Sequence, residues 1–87
     1  MRGAARVSID VAGGVIIGTL APTVFVNNVP VSVLGDPVEG HGIGRHGGPV
    51  MGTCSDNVFA CNIGVCRLGD IADCGHPTSA SDNVFVN

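Results

Sequence analysis

The sequence predicts a small all-β domain, and three observations carry that prediction. One stretch is written twice at constant spacing, Val and Ile dominate the short apolar runs, and Gly and Pro interrupt those runs every few residues. Gly13-Gly14-Val15-Ile16-Ile17-Gly18-Thr19 returns 34 positions later as Gly47-Gly48-Pro49-Val50-Met51-Gly52-Thr53. The same offset carries Val24-Phe25 onto Val58-Phe59 and Leu34-Gly35-Asp36 onto Leu68-Gly69-Asp70, with no gap. A third copy, shifted by 26, turns Ser55-Asp56-Asn57-Val58-Phe59 into Ser81-Asp82-Asn83-Val84-Phe85. With 14 Gly, 5 Pro, 3 Phe and neither Trp nor Tyr, the composition is that of β-branched strands broken by turns.

In chain order, Val7-Ser8-Ile9-Asp10 alternates apolar and polar residues, as a half-buried strand does. Val11-Ala12 is a short connection into Gly13-Gly14, read as a tight turn. Residues 15–19 form a strand, and Pro22 marks the turn after it, because proline donates nothing to a sheet ladder. Residues 23–26 form the next strand. Asn27-Asn28 tolerates left-handed backbone and predicts a hairpin turn into a strand over 29–34. Residues 37–46 are too long and too glycine-rich for a strand and read as an irregular loop. The second copy repeats the plan over 49–53, 57–61 and 63–68, followed by a loop over 71–77. Residues 78–87 hold the last strand.

The third copy stops at Asn87 in mid-repeat, and residues 1–10 fit the missing half, since they end in Asp10 as 29–36 end in Asp36. Arg6 precedes Asp10 by four positions whereas Arg67 precedes Asp70 by three, so this copy carries one extra residue. The expected architecture is one domain over 1–87, with copies at about 13–36, 47–70 and 75–87, the last completed by 1–10. Closed on itself, such a body is pseudo-threefold, its termini meet, and no sheet edge is left to recruit another chain. The alternative is a linear solenoid of two and a half repeats, an architecture that needs three or more repeats and capping ends.

A formal net charge of −3, no basic run and few aromatics speak against nucleic acid as a partner. A mean hydropathy of +0.44 with few charges points to surface covered by another protein. Asp10, Gly13 and Gly14 interrupt the stretch after Arg2 and Arg6, so no signal peptide is expected. No run approaches the roughly 18 apolar residues of a membrane helix. Without an export signal the four Cys are expected as free or metal-bound thiols rather than disulfides. A core this small calls for a staple of some kind.

That staple is sought in the loops. All three His, His41, His46 and His76, fall in the two loops after Asp36 and Asp70, and Cys74 lies two residues before His76. If the copies fold alike, these loops converge at one end. Three imidazoles and a thiolate make a tetrahedral set of the borderline-soft kind that zinc prefers, with iron left open. All four places would be protein ligands, which makes the site structural. Glu39 and Asp73 are alternatives should His41 or His46 face solvent. Cys54, Cys61 and Cys66 occupy the places of Leu20, Asn27 and Ser32 and are expected as small core or turn residues. Asp10, Asp36 and Asp70 recur at one repeat position, which suits turn capping better than catalysis. The paired glycines lack the Lys-Ser/Thr of a phosphate loop, and no Ser-His-Asp set stands apart from the metal residues.

Gly3-Ala4-Ala5-Arg6 followed by Asp10 resembles the segment that names the PAAR-repeat family, with Gly3 in place of its first proline. The Gly-Thr…Asn-Val-Phe-Val-Asn runs and the Val33-Leu34-Gly35-Asp36 and Arg67-Leu68-Gly69-Asp70 ends are similar to that family's repeated strands, over essentially the whole chain. The resemblance implies a small cone-shaped β-prism with a metal held by three His and one Cys near its point. Carried over, the ligands are His41, His46, Cys74 and His76. Family members often have a His soon after the first Asp, where this chain has Val11-Ala12, so the middle loop supplies two. The implied function is non-enzymatic. Such a tip caps and sharpens a trimeric β-helical spike of a type VI secretion system or phage tail, one copy per trimer, and touches the target membrane during puncture. Effector proteins are further partners in the family, and no toxin domain is expected here. The implied location is cytoplasmic before assembly and then the tip of the injection apparatus. The rival classes are a small zinc enzyme or redox protein and a free-standing metal-binding β module.

Overall fold

The structure is a computed structural model that describes residues 1–87. It is all-β apart from one 3-10 turn, Gly44–His46. Its regular strands come in four antiparallel pairs of two residues each: β1 (Arg2–Gly3) with β8 (Phe85–Val86), β2 (Val11–Ala12) with β3 (Gly14–Val15), β4 (Phe25–Val26) with β5 (Val29–Pro30), and β6 (Phe59–Ala60) with β7 (Ile63–Gly64). Asn27-Asn28 and Cys61-Asn62 link the last two pairs, and all four residues have positive φ, between 51° and 71°. Two consecutive positive-φ residues twist a two-residue turn with the strands it joins, which is why Asn suits them. Phe25 pairs with Pro30, Phe59 with Gly64 and Phe85 with Gly3, so the two ends of the chain form a third pair in the register of the two hairpins.

The three copies are bonded to one another in a ring. Ala5 N–H donates to Cys66 O (3.0 Å), Cys66 N–H to Ser32 O (2.9 Å), and Ser32 N–H to Ala5 O (2.9 Å). Bridges Ala4–Arg67, Arg6–Val31 and Val33–Val65 flank this ring. Ala5, Ser32 and Cys66 are fully buried, and small side chains are what a three-way meeting point accommodates. On one side of the ring Ala4, Val26, Val31, Val33, Ala60 and Val65 pack together under the hairpins. On the other, Ala5, Val7, Ala12, Ile16, Val38 and Met51 pack toward the loops. The molecule measures 32 × 22 × 22 Å along its principal axes.

This arrangement corrects several sequence expectations. The strands expected over 15–19, 23–26 and 29–34 and their second-copy counterparts are far shorter. Pro30 pairs within its own copy, Val31 with Arg6, and Val33 with Val65, so one extended segment serves three partners in turn. Val7-Ser8-Ile9-Asp10 is a turn rather than a strand. Asp10 N–H returns to Arg6 O (3.2 Å) and Ser8 has φ 70°. Ile9, about half exposed, is the extra residue. The gapless alignment also shifts by one near Ile16. Ile16, Met51 and Thr78 hold equivalent places, because each donates its N–H to the carbonyl of Asp10, Asp36 or Asp70 respectively (3.1, 2.9 and 2.8 Å). The 34-residue offset of the sequence pairs Ile16 with Val50 instead. The first copy therefore carries one residue more than the second before Val24 and Val58, in the segment around Leu20, whose side chain is half exposed.

The three aspartates are turn caps, and all are buried. Asp36 Oδ2 accepts from Val33 N–H and its Oδ1 from Leu20 N–H, each at 2.8 Å. Asp10 and Asp70 accept the matching backbone N–H of Arg6 and Arg67, and each also takes a two-pronged guanidinium contact from the same arginine at 2.8–3.1 Å. Asp36 has Val33 where its counterparts have arginine. Burial pushes its carboxyl up from the usual range. At Asp70 burial acts the same way but is outweighed by Arg67 and Thr53, and the net shift is downward.

Candidate metal centre

Each aspartate cap releases the chain into a loop on the side of the ring away from the hairpins. The three loops differ in length: residues 11–15 after Asp10, 37–50 after Asp36, and 71–77 after Asp70. Short pairings draw them together. Val38 bridges Ile16, Pro37 bridges Val50, and Met51 bridges Ala72. The first loop is the tight β2–β3 hairpin around Gly13, whose φ is 84°. The second folds back on itself, with His41 N–H donating to His46 O at 2.7 Å. The third turns through Gly75 (φ 96°), which puts Cys74 and His76 on the same side.

His41, His46, Cys74 and His76 come together, as the spacing argument expected. Each offers one ligand atom, and the four atoms lie within 4.8 Å of one another. His41 Nε2 is 3.1 Å from His46 Nδ1 and 3.7 Å from Cys74 Sγ. The three ring centroids are 5.0–5.1 Å apart pairwise, with interplanar angles between 58° and 69°, so the imidazoles are set like blades around a common point. Tetrahedral coordination with the usual zinc bond lengths places ligand atoms about 3.3–3.7 Å apart. The residues present therefore fit a four-coordinate ion, and the cluster could hold one.

Orientation within the cluster is set by the backbone. His41 Nδ1 lies 3.0 Å from Glu39 O, so the ring donates there and leaves Nε2 bare on the cluster side. Glu39 thus contributes its carbonyl, and its carboxylate takes no part in the cluster. Asp73, the other alternative ligand, accepts from Val50 N–H at 3.3 Å and stands outside the group. His41, His46 and Cys74 are half-buried and His76 is exposed.

The other three thiols stand outside the cluster. Burial pushes the Cys66 thiol up to about 12, and its Sγ donates to Thr53 O. Burial also raises Cys54. Cys61 sits exposed in its hairpin turn beside Thr23, and all four cysteines are free.

Comparison with protein-family models and with curated proteins finds no match to this chain. The reading of the cluster therefore rests on its donor set and its geometry. Two contributors escaped the sequence reading. The Glu39 carbonyl leaves no signal in residue type. Gly13 was read only as a turn residue, although its Cα lies against His41 and His76.

Proposed function

We propose that this chain is a non-enzymatic tip: a cone-shaped, pseudo-threefold β-prism, stapled near its point by zinc, that caps a trimeric β-helical spike of a contractile injection machine. The observation that carries the reading is at the end opposite the His/Cys cluster. Phe25, Phe59 and Phe85, the only aromatic rings outside histidine, hold equivalent places in the three strand pairs and are 60%, 60% and 50% exposed. A small protein does not leave its three largest apolar side chains half in water at matched positions without a surface to meet them. A partner with three identical subunits offers three identical receiving sites, and one chain with three internal copies meets them all at once.

The cyclic exchange of hydrogen bonds among Ala5, Ser32 and Cys66 supports the three-sided body, and two equal short axes of 22 Å suit it. The His/Cys cluster supports a narrowed end that keeps its shape under load, since a structural ion ties two loops that lack a core of their own. The cap would assemble in the cytoplasm and act at the tip of the machine, whether type VI secretion system or phage tail.

The test is assembly with the spike protein of the cognate machine, read by native mass spectrometry. One chain per spike trimer is expected. Each half-exposed Phe contributes about 1–1.5 kcal/mol when the partner covers it. Replacing all three with Ser should therefore weaken the complex several-hundred-fold. A chain that stays monomeric in every mixture, or a triple variant that binds unchanged, overturns the proposal.

A further inference from the structure

The loop that supplies no ligand nevertheless lies against the cluster. Residues 11–15 carry Val, Ala, Gly, Gly and Val, none of which can bind a metal. Yet a Cβ built on Gly13 would fall 2.6 Å from His41 Nε2, 2.6 Å from His76 Cδ2 and 2.8 Å from His41 Cε1. One of those atoms is itself a donor of the cluster. A Cβ on Gly14 would collide with Glu39 O, the carbonyl that orients His41, and would reach to 3.0 Å from His41 Nδ1. The hairpin is also bonded to that segment, since Glu39 N–H donates to Val15 O at 2.7 Å.

We propose that the β2–β3 hairpin is the positioning element of the metal centre. The bare Cα of Gly13 closes the coordination sphere on the side of His41 and His76. Gly14 and Val15 hold Glu39 so that its carbonyl fixes the His41 ring. The inference rests on the metal reading and adds that, on the hairpin side, backbone fills the space a fifth ligand would need. The cluster is open on other sides, where His76 is exposed and Cys74 lines a cleft of about 330 Å³ with Arg45, Thr53 and Asp73. An ordinary turn would ask only for positive φ at Gly13. Contact with two imidazoles at once is an added demand that any side chain violates.

Cobalt(II) binding tests this, because tetrahedral and five-coordinate cobalt differ strongly in their visible spectra. The variants are Gly13→Ala, Gly14→Ala and Gly69→Ala. Gly69, at the Asp70 cap, has φ 85° and no atom nearer than 3.8 Å to its Cβ position, so its variant shares the backbone strain of Gly13→Ala without the collision and outside the loops of the cluster. The expected result is a tetrahedral spectrum for the unaltered chain and for Gly69→Ala. Affinity should fall at least 10-fold in Gly13→Ala and Gly14→Ala, the scale on which residues behind the ligands act, and the tetrahedral bands should weaken in Gly13→Ala. Should Gly13→Ala not fold, Gly14→Ala, whose backbone is unstrained, decides alone. Gly13→Ala and Gly14→Ala proteins that match Gly69→Ala in affinity and spectrum overturn the inference and leave the metal centre standing. An unaltered chain with no tetrahedral cobalt spectrum removes the metal centre itself.

Discussion

Removing the metal should melt one segment and spare the rest. The segment is residues 40–48, nine residues of which none is buried. Hydrophobic burial therefore contributes almost nothing to its order. Fixing nine backbones costs roughly 9–18 kcal/mol. Against that stand six hydrogen bonds: His41 N–H to His46 O, His46 N–H to Ile43 O, Gly47 N–H to Gly44 O, His41 Nδ1 to Glu39 O, and the contacts of His41 Nε2 with His46 Nδ1 and Cys74 Sγ. At about 1 kcal/mol each they offset ~6 kcal/mol and leave the segment short of the ordering cost without an ion. The rest of the chain has two packed clusters of eight and seven buried residues and the ring of cross-copy bonds, none of which needs the ion. Amide hydrogen exchange before and after a strong chelator is the assay. The His41, His46 and Gly47 amides should exchange at unfolded-chain rates once metal is removed, while those of Ala5, Ser32 and Cys66 stay protected. Protection at His41 and His46 that survives complete metal removal would refute the reasoning, because some other interaction would then be holding the loop.

The ligand assignment separates the cysteines. Cys74→Ser should weaken metal binding by more than about 100-fold, beyond the 10–100-fold cost of losing a supporting residue, and Cys54→Ser should leave it within experimental error in a competition titration. The aspartate caps should respond to acid in opposite senses. The Asp70 pKa is lowered, so its stabilisation is present above the unfolded value near 3.9 and is lost as pH falls through the folded value. The Asp36 pKa is raised, so its contribution is complete below the unfolded value and is lost as pH rises through the folded one. Urea unfolding between pH 3 and 7 should show the penalty of Asp70→Asn shrinking in acid and that of Asp36→Asn growing. Gaps that move together would contradict the two environments. At neutral pH Asp70→Asn should be the costlier, at about 3–5 kcal/mol, because it removes the opposite charge from the mostly buried Arg67 guanidinium, which keeps its bond to Cys54 O. Asp36→Asn leaves one backbone N–H facing an amide and should cost about 1–3 kcal/mol.

Much of this was legible in the residues because its causes are local. The Asn27-Asn28 turn follows from the backbone freedom of two adjacent residues, and the chain does turn there. The His/Cys cluster was legible because the chain's few histidines all lie in loops that the repeats send to one end. Strand length was not legible. Whether Val31 continues the pairing of Pro30 depends on which copy lies beside it, and residue type does not say that. The one-residue slip at Ile16 has the same origin: matching letters, Gly18-Thr19 and Gly52-Thr53, aligned the copies where hydrogen bonding to Asp10 and Asp36 aligns them differently. The contacts of Gly13 and of the Glu39 carbonyl are backbone contacts between loops distant in sequence, and no side chain announces them.

The division between what the copies share and what they do not has a physical logic. Up to each aspartate the copies are nearly interchangeable: the same strand pair, the same place in the ring, the same carboxylate cap. Beyond it they diverge in length and content, and the residues that could hold a metal come as none, two and two from the three loops. Three equal loops around a single ion would supply three equivalent ligands and leave a fourth place on the axis open to solvent. A second loop long enough to return His46 beside His41, with a third that gives both Cys74 and His76, would fill four places from two loops. The first loop then has no ligand to supply but must stay small, since a side chain at Gly13 would occupy the space that His41 and His76 need to face the same point.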